Sequence, residues 1–301
     1  MLPSFSQCHI DDPELFWGCH STPRHLRGYE LEPVHGVPLT VTEMCDFLFC
    51  PRYAYLRHVL GFRPRVTPFG IRALFQHNIF VGLLAVEPEI LADSNDRFED
   101  FESVYLENGL AIARMEHHCL ENAFTRVALE RDREIALIES KIRQAALMCY
   151  RDSSRMKGLG SRLAEVSYAA PEIGIRGARI DIVEQDHPLD VKAGNAANLR
   201  ASHILQLAWY VMVLEHSHWV DVDYGEVYFI RSLSREVVVI DNRVRAWAIA
   251  KRKAAAETLS CSSIPEGSGS CGTCLLREVC SQGTEQHPSS FSHIYVKNAH
   301  N

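Results

Sequence analysis

The sequence has no long apolar run and no excess of positive charge. No stretch approaches the roughly 20 apolar residues that a transmembrane helix requires, and the first residues lack the charged and apolar regions of a signal peptide. Lys and Arg number 31 against 38 Asp and Glu, so the net charge is −7, whereas a general nucleic-acid-binding protein is usually basic. We therefore expect a cytoplasmic protein without a membrane segment, in which any nucleic-acid surface is local.

Acidic residues are absent from one segment, Phe47 to Val86. Arginines and aromatic residues alternate there: Arg52, Arg57, Arg63, Arg65 and Arg72, with Tyr53, Tyr55, Phe62, Phe69 and Phe75. Arginines that meet phosphates, with aromatic rings that stack on bases, are typical of a surface for single-stranded nucleic acid. The pattern fits an ordinary helical segment with core aromatics and solvated arginines equally well, and both interpretations stay open.

The chain has ten cysteines, which in a reducing compartment indicate metal or redox chemistry rather than a disulfide framework. Three of them have the spacing C-x₂-C-x₅-C, at Cys271, Cys274 and Cys280. A four-thiolate site needs one more cysteine, and it suits either zinc or an iron–sulfur cluster. The spacing alone does not distinguish these two.

The segment 165–210 carries the strongest catalytic pattern. Apolar and polar residues alternate around Asp181 and predict a strand, and a polar turn leads to a second strand with Asp190 and Lys192. Side chains two residues apart share a face of a strand, so Asp190 and Lys192 should lie together, opposite Val191. If the strands form a hairpin, Asp181 reaches the same patch. Two carboxylates suit Mg²⁺, and the lysine would orient a metal-bound water or offset phosphate charge.

Helices and further strands are predicted around this segment, as an α/β protein. The expected helices begin near residue 41, capped by Thr40 or Thr42, and cover 69–86, 99–156 (one or two long helices), 198–217 and 242–259, with strands over 224–230 and 236–240. The 198–217 helix places Gln206 and Tyr210 on one face. A buried hydrogen bond between them is the alternative to a catalytic role.

The ordered series of Asp181, Asp190-Val191-Lys192 and Gln206…Tyr210 resembles the PD-(D/E)xK nucleases. The last pair matches the Q-x-x-x-Y element of the RecB-like branch. With Cys50-Pro51-Arg52 before this core and C-x₂-C-x₅-C after it, the chain looks like the fourth family of CRISPR-associated proteins, which are nucleases with an iron–sulfur cluster. Two departures are that Gly177 lies one residue further back than in Gly-x-x-Asp, and that Asp190 replaces the commoner Glu.

The resemblance implies a fold and a site. The fold is a PD-(D/E)xK restriction-endonuclease-like mixed sheet flanked by helices, with a helical insert and a C-terminal cysteine cluster. Residues 39–282 form the nuclease domain, between an N-terminal extension (1–38) and a tail (283–301). The implied ligands of Mg²⁺ or Mn²⁺ are His77, Asp181, Asp190 and the Val191 carbonyl, with Glu165 as a weaker candidate, and Lys192, Gln206 and Tyr210 complete the catalytic set.

The resemblance also implies which cysteines hold the cluster. Cys50 would join Cys271, Cys274 and Cys280, with 4Fe–4S favoured over 2Fe–2S and zinc as the alternative. Cys45 and Cys261 compete with Cys50 for the fourth position.

The implied activity is an exonuclease on single-stranded DNA ends that trims prespacers before the CRISPR integrase complex inserts them, with homo-oligomerisation as an option. Two other interpretations remain. One is a non-catalytic DNA-end-binding subunit of the adaptation complex, and the other is a zinc-stabilised interaction protein in which Asp-x-Lys is accidental.

Overall fold

The computed structural model describes residues 36–93, 97–152, 162–195, 199–267 and 271–282. Its strands are β1 (Leu39–Thr40), β2 (Arg162–Ala170), β3 (Ile175–Glu184), β4 (His187–Lys192), β5 (Tyr224–Phe229) and β6 (Ser234–Val239). Its helices are α1 (Val41–Phe49), α2 (Pro51–His58), α3 (Pro68–Asp93), α4 (Phe98–Arg126), α5 (Arg131–Arg151), α6 (Ala201–His218), α7 (Asn242–Leu259) and α8 (Arg277–Gln282). The predicted tail, and all but the last residues of the predicted extension, lie outside these ranges.

The six strands form one mixed sheet in the order β1-β3-β4-β5-β6, and β2 pairs with the other edge of β3. The β1–β3 and β4–β5 pairs are parallel, and the remaining pairs are antiparallel. The prediction of a mixed sheet flanked by helices is confirmed, whereas its assignment to the PD-(D/E)xK fold stays a prediction.

One edge of β3 is shared by two short partners. β1 pairs at its start, opposite Ile175 and Gly177, and β4 pairs at its end, opposite residues 182–184. Counted from the turn, the β3–β4 pairing ends at Ile182, so the two strands diverge where β3 reaches Asp181. This fork leaves space between the strands for side chains instead of ladder hydrogen bonds.

The β3–β4 connection is a two-residue turn of Gln185 and Asp186, both with positive φ (49° and 67°), as type I′ hairpins require. The sequence pattern predicted a polar turn over residues 184–188, and the observed turn is shorter, because β4 already begins at His187 and includes Pro188. The tight turn fixes the register that sets Asp190 beside the fork.

Helices cover both faces of the sheet. Helices α3, α4 and α5 enclose one core with Leu189 and Val191 of β4, and α1, α6 and α7 enclose the other with Val227 and Phe229 of β5. The predicted 99–156 region is thus two helices, separated at Val127–Glu130, where Ala128 has a φ of 54°.

Helix α3 is the one described helix that is long and apolar enough, by length and composition, to cross a membrane. Several of its apolar side chains, among them Phe75, Ile79 and Leu83, are buried in the α3–α5 core, whereas Phe69 and Leu74 are exposed. Packing inside the protein therefore accounts for part of its hydropathy. The cytoplasmic location stays a prediction.

A buried ion network fastens α3 to the sheet. The Arg162 guanidinium, fully buried, donates to Glu87 of α3 at 2.6 Å and to Glu184 of β3 at 3.2 Å. Arg235 of β6 completes the network with Glu184 at 2.9 Å and Glu226 at 3.1 Å. Because buried charges are stable only when fully paired, this network sets how α3 lies on the sheet.

Helix α1 begins as predicted with a capping box of Thr40 and Glu43. Cys50 separates α1 from α2 in an extended conformation (φ −166°, ψ 122°). The cause is Pro51, which disfavours the helical conformation in the residue before it and suits the first turn of the next helix.

Candidate active site

Asp190 and Lys192 lie side by side on β4. Asp190 is completely buried, and its Oδ2 lies 2.9 Å from Lys192 Nζ. Val191, between them, points to the opposite face, into the α3–α5 core. The alternation of side chains along a strand produces this arrangement, so the predicted shared face is present in the structure.

Gln206 of α6 connects the polar groups of this face. Its Nε2 donates to Asp190 Oδ1 at 3.0 Å and to the Tyr210 hydroxyl at 2.6 Å, and its Oε1 accepts from Lys192 Nζ at 3.0 Å. The Gln206–Tyr210 hydrogen bond considered as an alternative is therefore present. It does not compete with the contact to Asp190, because the amide has two donor hydrogens.

Asp181 completes the group from the other side of the fork. Its Oδ2 accepts the Val191 N–H at 2.7 Å, in place of a ladder hydrogen bond. Its Oδ1 lies 3.5 Å from Nε2 of His77, which α3 supplies. The fork between β3 and β4 thus brings Asp181, Asp190, Lys192 and His77 together.

The hydrogen bonds of His77 determine which of its nitrogens is available. Nδ1 lies 2.9 Å from the Val191 carbonyl, an acceptor, so the proton of the neutral ring sits on Nδ1. Nε2 then presents a lone pair toward the carboxylate of Asp181. A metal-binding histidine commonly donates its second N–H to a backbone carbonyl in this way. The Val191 carbonyl, predicted as a ligand, here orients the histidine.

The pKa values show how strongly these groups interact. Burial raises the pKa of Asp190 to about 6, with Lys192 opposing and Asp181 reinforcing the shift. Burial likewise raises the pKa of Asp181. Burial opposes the charge of Lys192, but Asp190 and Asp181 outweigh it and raise the pKa of the amine. Burial, then Lys192, lowers the pKa of His77, so the imidazole is neutral near pH 7.

Several oxygen and nitrogen atoms of this group lack a hydrogen-bond donor and could therefore bind a divalent ion. Asp190 Oδ2 is buried without an aligned hydrogen-bond donor, despite the nearby Lys192. His77 Nε2 and Asp181 Oδ1 face each other as two electron-pair donors. Among the described residues, no three His, Cys, Asp or Glu side chains lie at metal-ligand spacing. The Asp190 carboxylate instead contacts the Lys192 amine, and the Asp181 carboxylate accepts the Val191 N–H. The donor types fit a hard cation after small side-chain movements.

Of two further residues beside this group, the sequence analysis missed His203 and considered Cys45 only for the cysteine cluster. His203 of α6 is within electrostatic reach of Lys192 and Asp190, and it lies one helical turn before Gln206, a spacing that was readable from the sequence. Cys45 of α1 donates to the Ser202 carbonyl at 3.5 Å, and burial raises the pKa of its thiol to about 12. No spacing rule links Cys45 to this group.

Glu165, the weaker ligand candidate, stands on β2 opposite Asp181 with a positive φ of 54°. Its carboxylate pairs with Arg179 on the outside of the sheet. Its charge still acts on His77, whose pKa it raises against the larger effect of burial.

The four predicted cluster cysteines lie in one region. The charges of Cys280, Cys50 and Cys271 all reach the Cys274 thiol and add to the effect of burial, which raises its pKa. The Tyr55 hydroxyl donates to the Cys261 carbonyl at 3.2 Å and so ties α2 to the chain after α7.

The two competing cysteines lie elsewhere. The Cys45 thiol is next to Ser202, and the exposed Cys261 thiol donates to Glu257 within its own chain segment. Of the three candidates, Cys50 lies close enough to Cys274 for their charges to interact.

The five predicted nucleic-acid arginines lie in three different environments. Arg57 pairs with Asp46 at 2.7 Å, and Arg72 makes two hydrogen bonds with Glu134, at 2.7 and 2.5 Å. Arg63 and Arg65 are exposed on the α2–α3 loop, close in sequence to Phe69, whose side chain is 77% exposed. Arg52 is half-buried beside Gly267. The exposed surface that combines arginines with an aromatic ring is therefore smaller than the segment from Phe47 to Val86 suggested.

Comparison with known proteins supplies the family. No curated protein matches this chain. The model of the family described as CRISPR-associated exonuclease Csa1 matches residues 16–283, which is most of the chain and includes every residue of the candidate site. This confirms the resemblance to a CRISPR-associated exonuclease. The chain belongs to the CRISPR-associated exonuclease Csa1 family.

Proposed function

We propose that this protein is a metal-dependent deoxyribonuclease that hydrolyses phosphodiester bonds at single-stranded DNA ends. The observation that carries the proposal is the convergence of Asp181, Asp190 and Lys192 where β3 and β4 part, with Gln206 bridging the last two. Family membership supports an exonuclease. The two carboxylates and the lysine support metal-dependent hydrolysis of a phosphodiester.

The residues that would hold Mg²⁺ or Mn²⁺ are Asp181, Asp190 and His77, with the second lone pair of the Val191 carbonyl as a further ligand. The ion would supply a bound water of lowered pKa and positive charge beside the scissile phosphate. The protein's part is to keep two carboxylates ionised in a buried place, which Lys192 does through its charge.

Lys192 and Gln206 prepare the site for phosphate. The Lys192 ammonium stays charged because both carboxylates raise its pKa. When Asp190 binds a cation instead, this ammonium is free to turn toward the phosphate or the attacking water. Hydrogen bonds from the Gln206 amide fix the positions of the Asp190 and Lys192 side chains, and a hydrogen bond to the Tyr210 hydroxyl fixes the amide.

We assign a second metal group to the four cysteines that lie in one region. Cys50, Cys271, Cys274 and Cys280 would supply the thiolates of an iron–sulfur cluster, 4Fe–4S in preference to 2Fe–2S, with zinc as the alternative, and their side chains would have to move together to reach metal-ligand spacing. The cluster would join α2 to the end of the chain and close a long loop, which stabilises the fold by limiting the unfolded state.

The biological task we propose is the trimming of prespacers before the CRISPR integrase complex inserts them. The family name supports a place in CRISPR systems. The exposed Arg63 and Arg65 with Phe69 offer charge and an aromatic ring for an incoming single strand.

Cleavage of end-labelled single-stranded DNA, with Mn²⁺ or with EDTA, tests the enzyme. Asp181→Ala and Lys192→Ala should remove cleavage, because each takes away one of the converging charges. Asp100→Asn is the matched control, since Asp100 is about half exposed on α4. Retention of the visible absorption of the cluster in all variants shows that the fold survives. Full activity of either site variant contradicts the proposal.

A second candidate is a DNA-end-binding subunit without catalysis. It is favoured by the absence, among the described residues, of three side chains at metal-ligand spacing, and by the position of Lys192 Nζ against Asp190. Tight binding of DNA ends with no cleavage in Mg²⁺ or Mn²⁺ would support it against the enzyme.

A further inference from the structure

His203 lies beside the candidate active site without a part in it. It is in the first turn of α6, three residues before Gln206, and therefore on the same side of the helix. Its half-buried ring lies 6.0 Å from the ring of Phe229, at 61°. Phe229 is on β5, paired with Lys192 of β4. The imidazole thus stands at the rim of the group formed by Asp190 and Lys192.

The protonation of His203 follows from its neighbours. The Arg200 N–H donates to Nδ1 at 3.2 Å, so in the neutral ring the proton sits on Nε2. Burial lowers the pKa of His203 and Lys192 lowers it further, which keeps the ring neutral near pH 7. Within the described ranges, the Nε2–H group has no hydrogen-bond partner. A donor at the edge of a buried polar site needs water or a ligand.

The surroundings of His203 favour a negatively charged ligand. The amides of the first turn of α6 carry the positive end of the helix dipole, and the side chain of Arg200, directly before the helix, is exposed. A neutral donor suits a position next to Lys192, because a second cation there would be repelled.

We propose that His203 contacts the substrate and donates its Nε2–H to a non-bridging oxygen of a DNA phosphate adjacent to the scissile bond. This inference rests on the proposed function, since the ligand is the DNA strand of that same site. His203 would fix the register of the strand against Lys192, and no step of the hydrolysis requires it to gain or lose a proton.

A phosphate-neutralisation scan tests the contact. Single-stranded oligonucleotides, each with one methylphosphonate linkage, are bound to the protein in EDTA and followed by fluorescence anisotropy. In the wild type, one position near the end should weaken binding about tenfold, as expected for loss of a hydrogen bond to a charged group. His203→Ala should bind the all-phosphate strand about tenfold more weakly and lose sensitivity at that position.

Two further variants separate this role from a structural one. His203→Gln should keep much of the binding and the position-specific effect, because the glutamine amide both donates and accepts and can cap the helix. His216→Ala is the matched control at the other end of α6, where the ring is about one-third exposed, and it should behave as the wild type. If His203→Ala only lowers the melting temperature and keeps the wild-type scan, the contact is refuted.

The assay also distinguishes failure of this inference from failure of the proposed function. Binding without cleavage in Mn²⁺ would refute the hydrolase, while the scan would still decide the role of His203. Wild-type protein that binds no single strands would refute both. Active wild type with an unchanged scan in His203→Ala would refute the contact alone.

Discussion

Replacing Asp190 by asparagine should remove activity and yet stabilise the metal-free protein at neutral pH. Asp190 is completely buried, and burial raises the pKa of its carboxyl from 3.8 to about 6. Ionising this group in the folded protein is therefore unfavourable, even with Lys192 2.9 Å away. An asparagine has nearly the same shape and carries no charge.

The magnitude follows from the two pKa values. A change from 3.8 to about 6 corresponds to roughly 3 kcal/mol of unfolding free energy. The unfolded chain ionises first, so the folded wild type loses this stability as the pH rises from about 4 to about 6. Asp190→Asn should equal the wild type below about pH 4 and exceed it by up to about 3 kcal/mol above pH 6.

The assay is equilibrium urea denaturation at several pH values, without added divalent cation, followed by tryptophan fluorescence. Trp209, which is buried in α6, provides a signal near the site. Mn²⁺ should reverse the order of stability, because only the wild type has both carboxylates to bind it. Asp100→Asn, on the surface, should show no such dependence on pH. A variant that is equally or less stable at every pH would refute the reasoning.

Three other changes test separate parts of the structure. Cys50→Ser should abolish the visible absorption of the purified protein, whereas Cys45→Ser should preserve it, because the Cys45 thiol lies against the Ser202 carbonyl. Arg162→Met should lower the unfolding free energy by roughly 3–5 kcal/mol in urea titrations, since it removes the close partner of the buried Glu87 and leaves Arg235 alone to pair with Glu184. Gly109→Ala should cost about 1–3 kcal/mol in the same measurement, because a Cβ there would lie 2.8 Å from Ile142.

The controls for these changes use sites without the same contacts. Cys261→Ser removes another cysteine whose thiol bonds within its own segment, and it should keep the absorption. Gly272→Ala adds a Cβ with nothing within 4 Å and should leave stability unchanged. Equal losses at Gly109 and Gly272, or a colourless Cys45→Ser protein, would contradict the assignments.

The sequence by itself determined much of the local structure and the family. Periodicity and capping predicted α7 at its observed bounds and a threonine cap of α1, at Thr40 or Thr42, of which the structure has Thr40, because these depend on residues close along the chain. The alternation of Asp190, Val191 and Lys192 predicted their faces for the same reason. Spacing of the conspicuous residues also led to the CRISPR-associated nucleases, in agreement with the matching family.

Only the tertiary structure decided what meets at the fork. The parting of β3 and β4 at Asp181 results from β1 and β4 sharing one edge of β3, which no local pattern reports. The lone pair that His77 turns to Asp181, the partners that occupy Arg57 and Arg72, and the position of His203 beside Lys192 all join segments distant along the chain. Periodicity describes which side of an element a residue occupies, whereas the neighbour on that side depends on how the elements pack.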